Sequence, residues 1–160
     1  MDAAHPALVW SQALAIEPEW VDLNNHLNMA YYHVLFDRTV DVGLNALDFG
    51  DAYRERENAS IFNVETHVVY RREVSLDDRV RVSFHLLGRD QKRLHVYQTM
   101  LGADGAPAAF SESLFVHVDL SARRVVPFPP DVAEALDGMI ARHSAAGWPD
   151  AGRRITPLSP

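Results

Sequence analysis

Tyr32, Phe36, Val40, Leu44 and Leu47 recur at steps of four, four, four and three through otherwise polar sequence, the period of one helical face. The spacing predicts a long helix over 28–48, with Asn24, Asn25 and Asn28 able to cap its start and Gly50 where a C-terminal cap belongs. The polar stretch 50–59 reads as a loop. From Phe62 the period becomes two: Phe62, Val64, Thr66, Val68 and Tyr70 share one face of a strand, and Asn63, Glu65, His67 and Arg71 the other. After a turn at 75–78, Val80, Val82, Phe84 and Leu86 alternate with Arg79, Arg81, Ser83 and His85. A loop at 88–91, a strand over 93–101, the hairpin signal Asp104-Gly105 and a strand over 109–119 complete a meander. Pro127, Pro129 and Pro130 close the sheet, and Val132, Leu136, Met139 and Ile140 give 131–143 helical spacing. The tail from Gly147, with three more prolines, reads as an arm or partly disordered segment.

The order is therefore a short opening strand, one long helix, four strands and a C-terminal helix. An α+β fold follows, with the long helix laid across one face of an antiparallel sheet. We expect one domain over 1–146 and a tail over 147–160.

Composition narrows the chemistry. The chain has 160 residues, 48% of them hydrophobic, enough for a core. It has no cysteine, which excludes disulfides, thiolate metal sites and a thiol nucleophile. A formal net charge of −7 opposes general nucleic-acid binding, which draws on phosphate neutralisation. Arg71, Arg72, Lys92, Arg93, Arg123 and Arg124 still leave room for a phosphorylated small ligand. The first residues lack a basic region followed by an apolar run, and no stretch is long enough to span a membrane, so a soluble cytoplasmic protein is expected. The eight histidines show no His-x-x-x-His or His-Glu-x-x-His spacing, and no metal or cofactor is expected. Ser111 and Ser113 lack the glycines of a nucleophile elbow, and no Gly-rich phosphate loop is present.

The segment 20–32 concentrates Asp22, Asn24, Asn25, His26 and Asn28 just before the long helix. A carboxylate beside unpaired helix-start amides can stabilise charge developing on a carbonyl oxygen, although the same residues also make a well-capped helix start. Glu112 alternates with Phe110, Leu114, Val116 and Val118, which aims a carboxylate at the core, either linked to the long helix or a neighbouring strand or acting as an acid near the site. Glu65 and His67 read as a polar outer face, with a pocket wall or subunit contact as the alternative.

Asp22-x-x-x-His26-x-Asn28 followed by Tyr32 resembles the signature of the 4-hydroxybenzoyl-CoA thioesterase family. The resemblance extends through Glu65-Thr66-His67-Val68-Val69-Tyr70, Lys92-Arg93-Leu94-His95, Phe115-Val116-His117-Val118-Asp119 and Pro127-Phe128-Pro129, about residues 8–142. The Lys92 and His117 blocks look like the thioesterases of carnitine and betaine catabolism. Many relatives have glycine where this chain has Asn25, and a second asparagine where it has Met29. The resemblance implies a hotdog fold, a sheet wrapped around one central helix, and hydrolysis of an acyl-CoA. Asp22 would act as nucleophile or general base, with the helix start polarising the thioester carbonyl at the interface of a homodimer or homotetramer. His26, Asn28 and Tyr32 would contact substrate, and Arg71 and Arg93 sit where they would meet CoA. A non-catalytic acyl-CoA-binding hotdog protein and a hotdog dehydratase or hydratase are the alternatives.

Overall fold

The computed structural model describes residues 5–151 and 153–158. Among them the elements run β1 (Val9–Trp10), β2 (Leu14–Ala15), α1 (Met29–Asn45), α2 (Asp51–Glu57), β3 (Ala59–Tyr70), β4 (Arg79–Arg89), β5 (Arg93–Leu101), β6 (Pro107–Asp119), β7 (Arg124–Val125) and α3 (Pro130–His143). The strands form an antiparallel sheet in the order β1-β4-β5-β6-β3, with β2 also on β4 and β7 also on β6. β3 therefore stands at an open edge.

The apolar stripe of α1 lies across this sheet as its spacing requires. Leu35, Phe36, Val40 and Leu44 are buried against alternating residues of β4 and β5, such as Val80, Val82, Phe84, Leu94 and Val96. Each such fully buried side chain stabilises the fold by roughly 1.5–3 kcal/mol. The two elements meet so closely at Gly43 that a Cβ there would stand 2.3 Å from the Phe84 ring. Leu136 and Met139 of α3 extend the core beyond the C-terminal half of α1. The α3 end also closes an edge, since His143 Nδ1 accepts from the Leu86 amide at 2.9 Å beyond the reach of β1.

This is the expected hotdog arrangement, with four local differences. Asn28 caps α1 as read, its Oδ1 accepting from the Ala30 amide at 3.0 Å, but the helix ends at Asn45 and Gly50 is the cap position of α2 instead. α2 replaces the predicted loop. Its seven residues are too few for periodicity, and one of them, Tyr53, anchors it through Phe49 at 4.4 Å and a 2.9 Å hydrogen bond to His117.

The face assignment of β3 changes at a bulge. Asn63 pairs with Phe115 but Glu65 pairs with Leu114, so Val64 has no partner and alternation reverses there. Thr66, Val68 and Tyr70 face α1, whereas Phe62 and Val64 are 46% and 56% exposed on the outer side. Glu65 and His67 share that outer side as an ion pair at 2.7 Å.

Glu112 points away from α1. It lies on the outer face of β6, fully buried, where it bonds His95 of β5 at 2.8 Å. Its other oxygen accepts from the amides of Arg154 and Ile155, the latter at 3.1 Å. The described part of the tail thus lies on the sheet, with Ile155 buried and Tyr97 donating to the Ala151 carbonyl at 2.6 Å.

Candidate active site

The turn that carries Asp22 is closed by the backbone. Val21 pairs with Leu27, the Asp22 amide donates to His26 O at 3.0 Å and the Asn25 amide to Asp22 O at 3.0 Å. Asn25 closes it with φ at 65°, a left-handed conformation that Asn adopts more readily than most residues and that glycine adopts freely. The departure from glycine at this position therefore leaves the turn intact. Outer bonds anchor it to its neighbours, Leu27 to Val74 O at 2.7 Å and Asn28 to Trp20 O at 2.9 Å.

Within this frame Asp22 Oδ1 accepts from the Asn24 amide at 2.8 Å, and among the described residues Oδ2 has no partner. The carboxylate is half-buried and open to a reactant. α1 begins seven residues after Asp22, at Met29. The Ala30 and Tyr31 amides are taken up by Asn28, while the Met29 amide has no acceptor among the described residues. A carboxylate with one open oxygen and a helix-start amide can serve attack on a carbonyl carbon and stabilisation of its oxygen.

Residues 16–136 match the thioesterase-like superfamily. The chain belongs to this superfamily. As a superfamily member it is a thioester hydrolase. The betainyl-CoA thioesterase of Pseudomonas aeruginosa is 33% identical over 144 residues, 89% of this chain and 91% of that protein. The L-carnitine dehydrogenase/betainyl-CoA thioesterase of Agrobacterium fabrum is 38% identical over 141 residues, which are 85% of this chain but 28% of that longer protein. A Staphylococcus aureus protein solved in complex with CoA superposes with a TM-score of 0.85 at 25% identity, covering 99% of this chain and 100% of that one.

The other residues expected at the candidate site divide. His26 lies 3.5 Å from Glu73, tying the turn to the segment before β4. Tyr32 is buried, packed edge-on against Tyr70 at 5.0 Å, with its hydroxyl 3.4 Å from Arg72 O, and burial raises its pKa. Asn28 spends its side chain on the cap. These three hold the Asp22 turn and the start of α1 in place.

Arg71 and Arg93 are not brought together within a protomer. Tyr70 is level with Ala109 and Arg93 with Val116, seven residues along β6 or roughly 23 Å of strand. Arg93 instead bonds Asp90 at 2.6 Å, and Arg72 grips Asp104 at 2.6 and 2.7 Å, holding that carboxyl down at about 2. Lys92, Arg93, Arg123 and Arg124 gather at the Arg93 end, around two shallow grooves of about 410 and 290 Å3 that share Val116 and Val125.

Sequence reading missed Trp20 and Tyr31, which stack at 5.4 Å beside the turn with Arg38 5.2 Å over Trp20. Their aromatic character was visible, but nothing in the spacing set them against each other. Among the described residues no group of three potential metal ligands occurs and no helix is long and apolar enough to cross a membrane.

Proposed function

We propose that the chain hydrolyses a small or medium acyl-CoA to the free acid and CoA, with Asp22 as its catalytic carboxylate. The observation that carries this reading is the open Oδ2 of Asp22, held in a backbone-closed turn that leads directly into α1, whose first amide, that of Met29, has no acceptor among the described residues. The amide polarises the thioester carbonyl, and Asp22 either attacks its carbon or takes a proton from the attacking water. In both routes the tetrahedral oxyanion collapses by breaking the C–S bond and releasing CoA thiolate, and water supplies the oxygen of the acid. No metal or cofactor is required by these steps. The relatives that act on betainyl-CoA make this thioester the first substrate to test.

The open edge of β3 supports pairing of two copies through β3 into one continuous sheet, a homodimer able to pair further into a tetramer. The Lys92, Arg93, Arg123 and Arg124 cluster suits CoA phosphates, with apolar Val116 and Val125 beneath. Arg71 lies at the other end of the strand and would meet CoA only across the dimer. Free CoA and a cysteine-free chain suit the cytoplasm. The test is thiol release from a panel of betainyl-, short-chain and aromatic acyl-CoAs. Turnover of at least one by the wild type, lost in Asp22→Asn, is the expected result; no release from any of them would overturn the proposal.

A further inference from the structure

The face of the sheet that looks away from α1 carries a cavity of about 370 Å3, lined by no residue of the Asp22 turn. Its floor is built from four neighbouring strands: Trp10 of β1, Ser83 and His85 of β4, Tyr97 and Thr99 of β5, and Phe110 of β6. Register puts these side chains on one face, since Trp10 is level with Ser83, His85 with Tyr97 and Thr99 with Phe110. Residues 146–151 of the tail form one wall, Trp148 among them, and His5 and Leu8 form another. An opening confined between two chain segments admits a small molecule rather than a second chain.

The tail wall is tied to the floor. Tyr97 donates to the Ala151 carbonyl at 2.6 Å, and the buried Glu112, level with Tyr97, accepts from the amides of Arg154 and Ile155.

What the walls lack defines the charge of a guest. No lysine or arginine is among the described residues that line the cavity, so a carboxylate or phosphate entering it would lose water without gaining a partner. Burial and then Glu112 push the Tyr97 hydroxyl up, with Asp150 acting in the same direction, so the local field also opposes an anion. A cation fares little better. Burial first, then His5, lowers His85 to about 4, so the floor keeps even its own imidazole uncharged, while Asp150 is exposed and screened by solvent.

What the walls offer defines its shape. Tyr97 and Phe110 lie 30° from parallel with centroids 6.0 Å apart, and with Trp10 and Trp148 they present flat apolar surface. Between the rings, polar groups have capacity to spare. Ser83 Oγ accepts from the Thr99 amide at 2.9 Å and keeps its own O–H to donate, the Thr99 hydroxyl has no partner among the described residues, and a neutral imidazole carries both a donor and an acceptor. An aliphatic guest would cover these groups and leave them unpaired, whereas a flat ring with a polar edge stacks and bonds at once. The volume suits two fused rings, since about 150 Å3 is enough for benzene.

We propose that this cavity is a second binding site, separate from the Asp22 turn, for a small uncharged aromatic heterocycle of about two fused rings, held between the sheet and the tail. The experiment titrates the full chain calorimetrically at neutral pH with three probes that share one ring system: indole, which is uncharged, tryptamine, a cation, and indole-3-acetate, an anion. Indole is expected to bind with a Kd of about 1 mM or tighter, and both charged probes about ten-fold or more weaker. Trp148→Ala removes a ring from the tail wall and should weaken indole by about five-fold or more. Thr99→Phe fills the cavity from its floor and should abolish binding. Indole should also slow hydrogen exchange at the Arg154 and Ile155 amides, because a guest held between sheet and tail stabilises the attached tail. The proposal is overturned if indole does not bind, if a charged probe binds as tightly, if either variant keeps the wild-type affinity, or if those amides exchange no more slowly. Trp148→Ala decides alone where Thr99→Phe does not fold, and thiol release reads the Asp22 site separately from all of these outcomes.

Discussion

Asn25 holds φ at 65° between Asp22 and His26, so the aim of the carboxylate depends on a residue that makes no contact with it beyond the backbone. Left-handed backbone costs most non-glycine residues about 1–2 kcal/mol. Asn25→Gly is expected to keep kcat/KM within about two-fold, and Asn25→Val to lower it while reducing stability by about 1 kcal/mol or more, measured by thiol release and urea unfolding. Asp22→Asn is the sharper substitution. It preserves shape and the bond from the Asn24 amide but removes the proposed nucleophile or base, and kcat/KM should fall by about 10²-fold or more with an unchanged circular dichroism spectrum. Near wild-type turnover in that variant would remove Asp22 from the mechanism. The Asp22 turn was legible because its chemistry is local, a run of side chains within a few residues of a helix start. Glu112 was legible as a misplaced carboxylate but not in direction, because its partners are His95 on the next strand and amides more than forty positions away.

At the level of elements, period and packing agree wherever an element is long. The α1 stripe and the alternation of β4 were both readable, since each side chain meets the same neighbour over many residues. α2 has a single buried anchor, and the β3 bulge is one extra residue that reverses everything after it without leaving a mark on composition. Gly43 shows the same limit in reverse, looking like a weak point in a helix until Phe84 is seen against it. Gly43→Ala improves helix propensity by about 1 kcal/mol but drives a methyl into that ring, an overpacking cost of about 1–3 kcal/mol. The net expectation is a lower urea midpoint, and an unchanged or higher midpoint would show that α1 can lift from β4 freely.

For the whole molecule, acid is the condition to which this fold is built to be sensitive. His85 and His143 are buried with ring centroids 5.8 Å apart, and desolvation lowers both from 6.5 to about 4. The unfolded chain binds these protons near 6.5 and the folded chain does not until about 4. Their neutral forms thus cost nothing above pH 6.5, and stability falls as pH drops through the window from 6.5 to about 4, by up to about 3 kcal/mol for each group. Urea midpoints at pH 7.5 and pH 5 should differ accordingly, and His85→Asn should flatten the difference; equal midpoints would mean that both rings charge in place. The open β3 edge carries the assembly prediction, a dimer or dimer of dimers by light scattering, and a monomer that hydrolyses acyl-CoA at full rate would refute a shared site. The tail on the outer face gives the molecule a built-in optical reporter. Trp148 sits on that tail, 44% exposed, edge-on to His95 at 6.2 Å with Arg153 over its ring, whereas Trp10 is in β1 and Trp20 beside the Asp22 turn. Emission from a Trp10→Phe, Trp20→Phe double variant therefore reads tail attachment alone, and a red shift that precedes global unfolding would show the sheet's outer face being uncovered while the rest of the fold still stands.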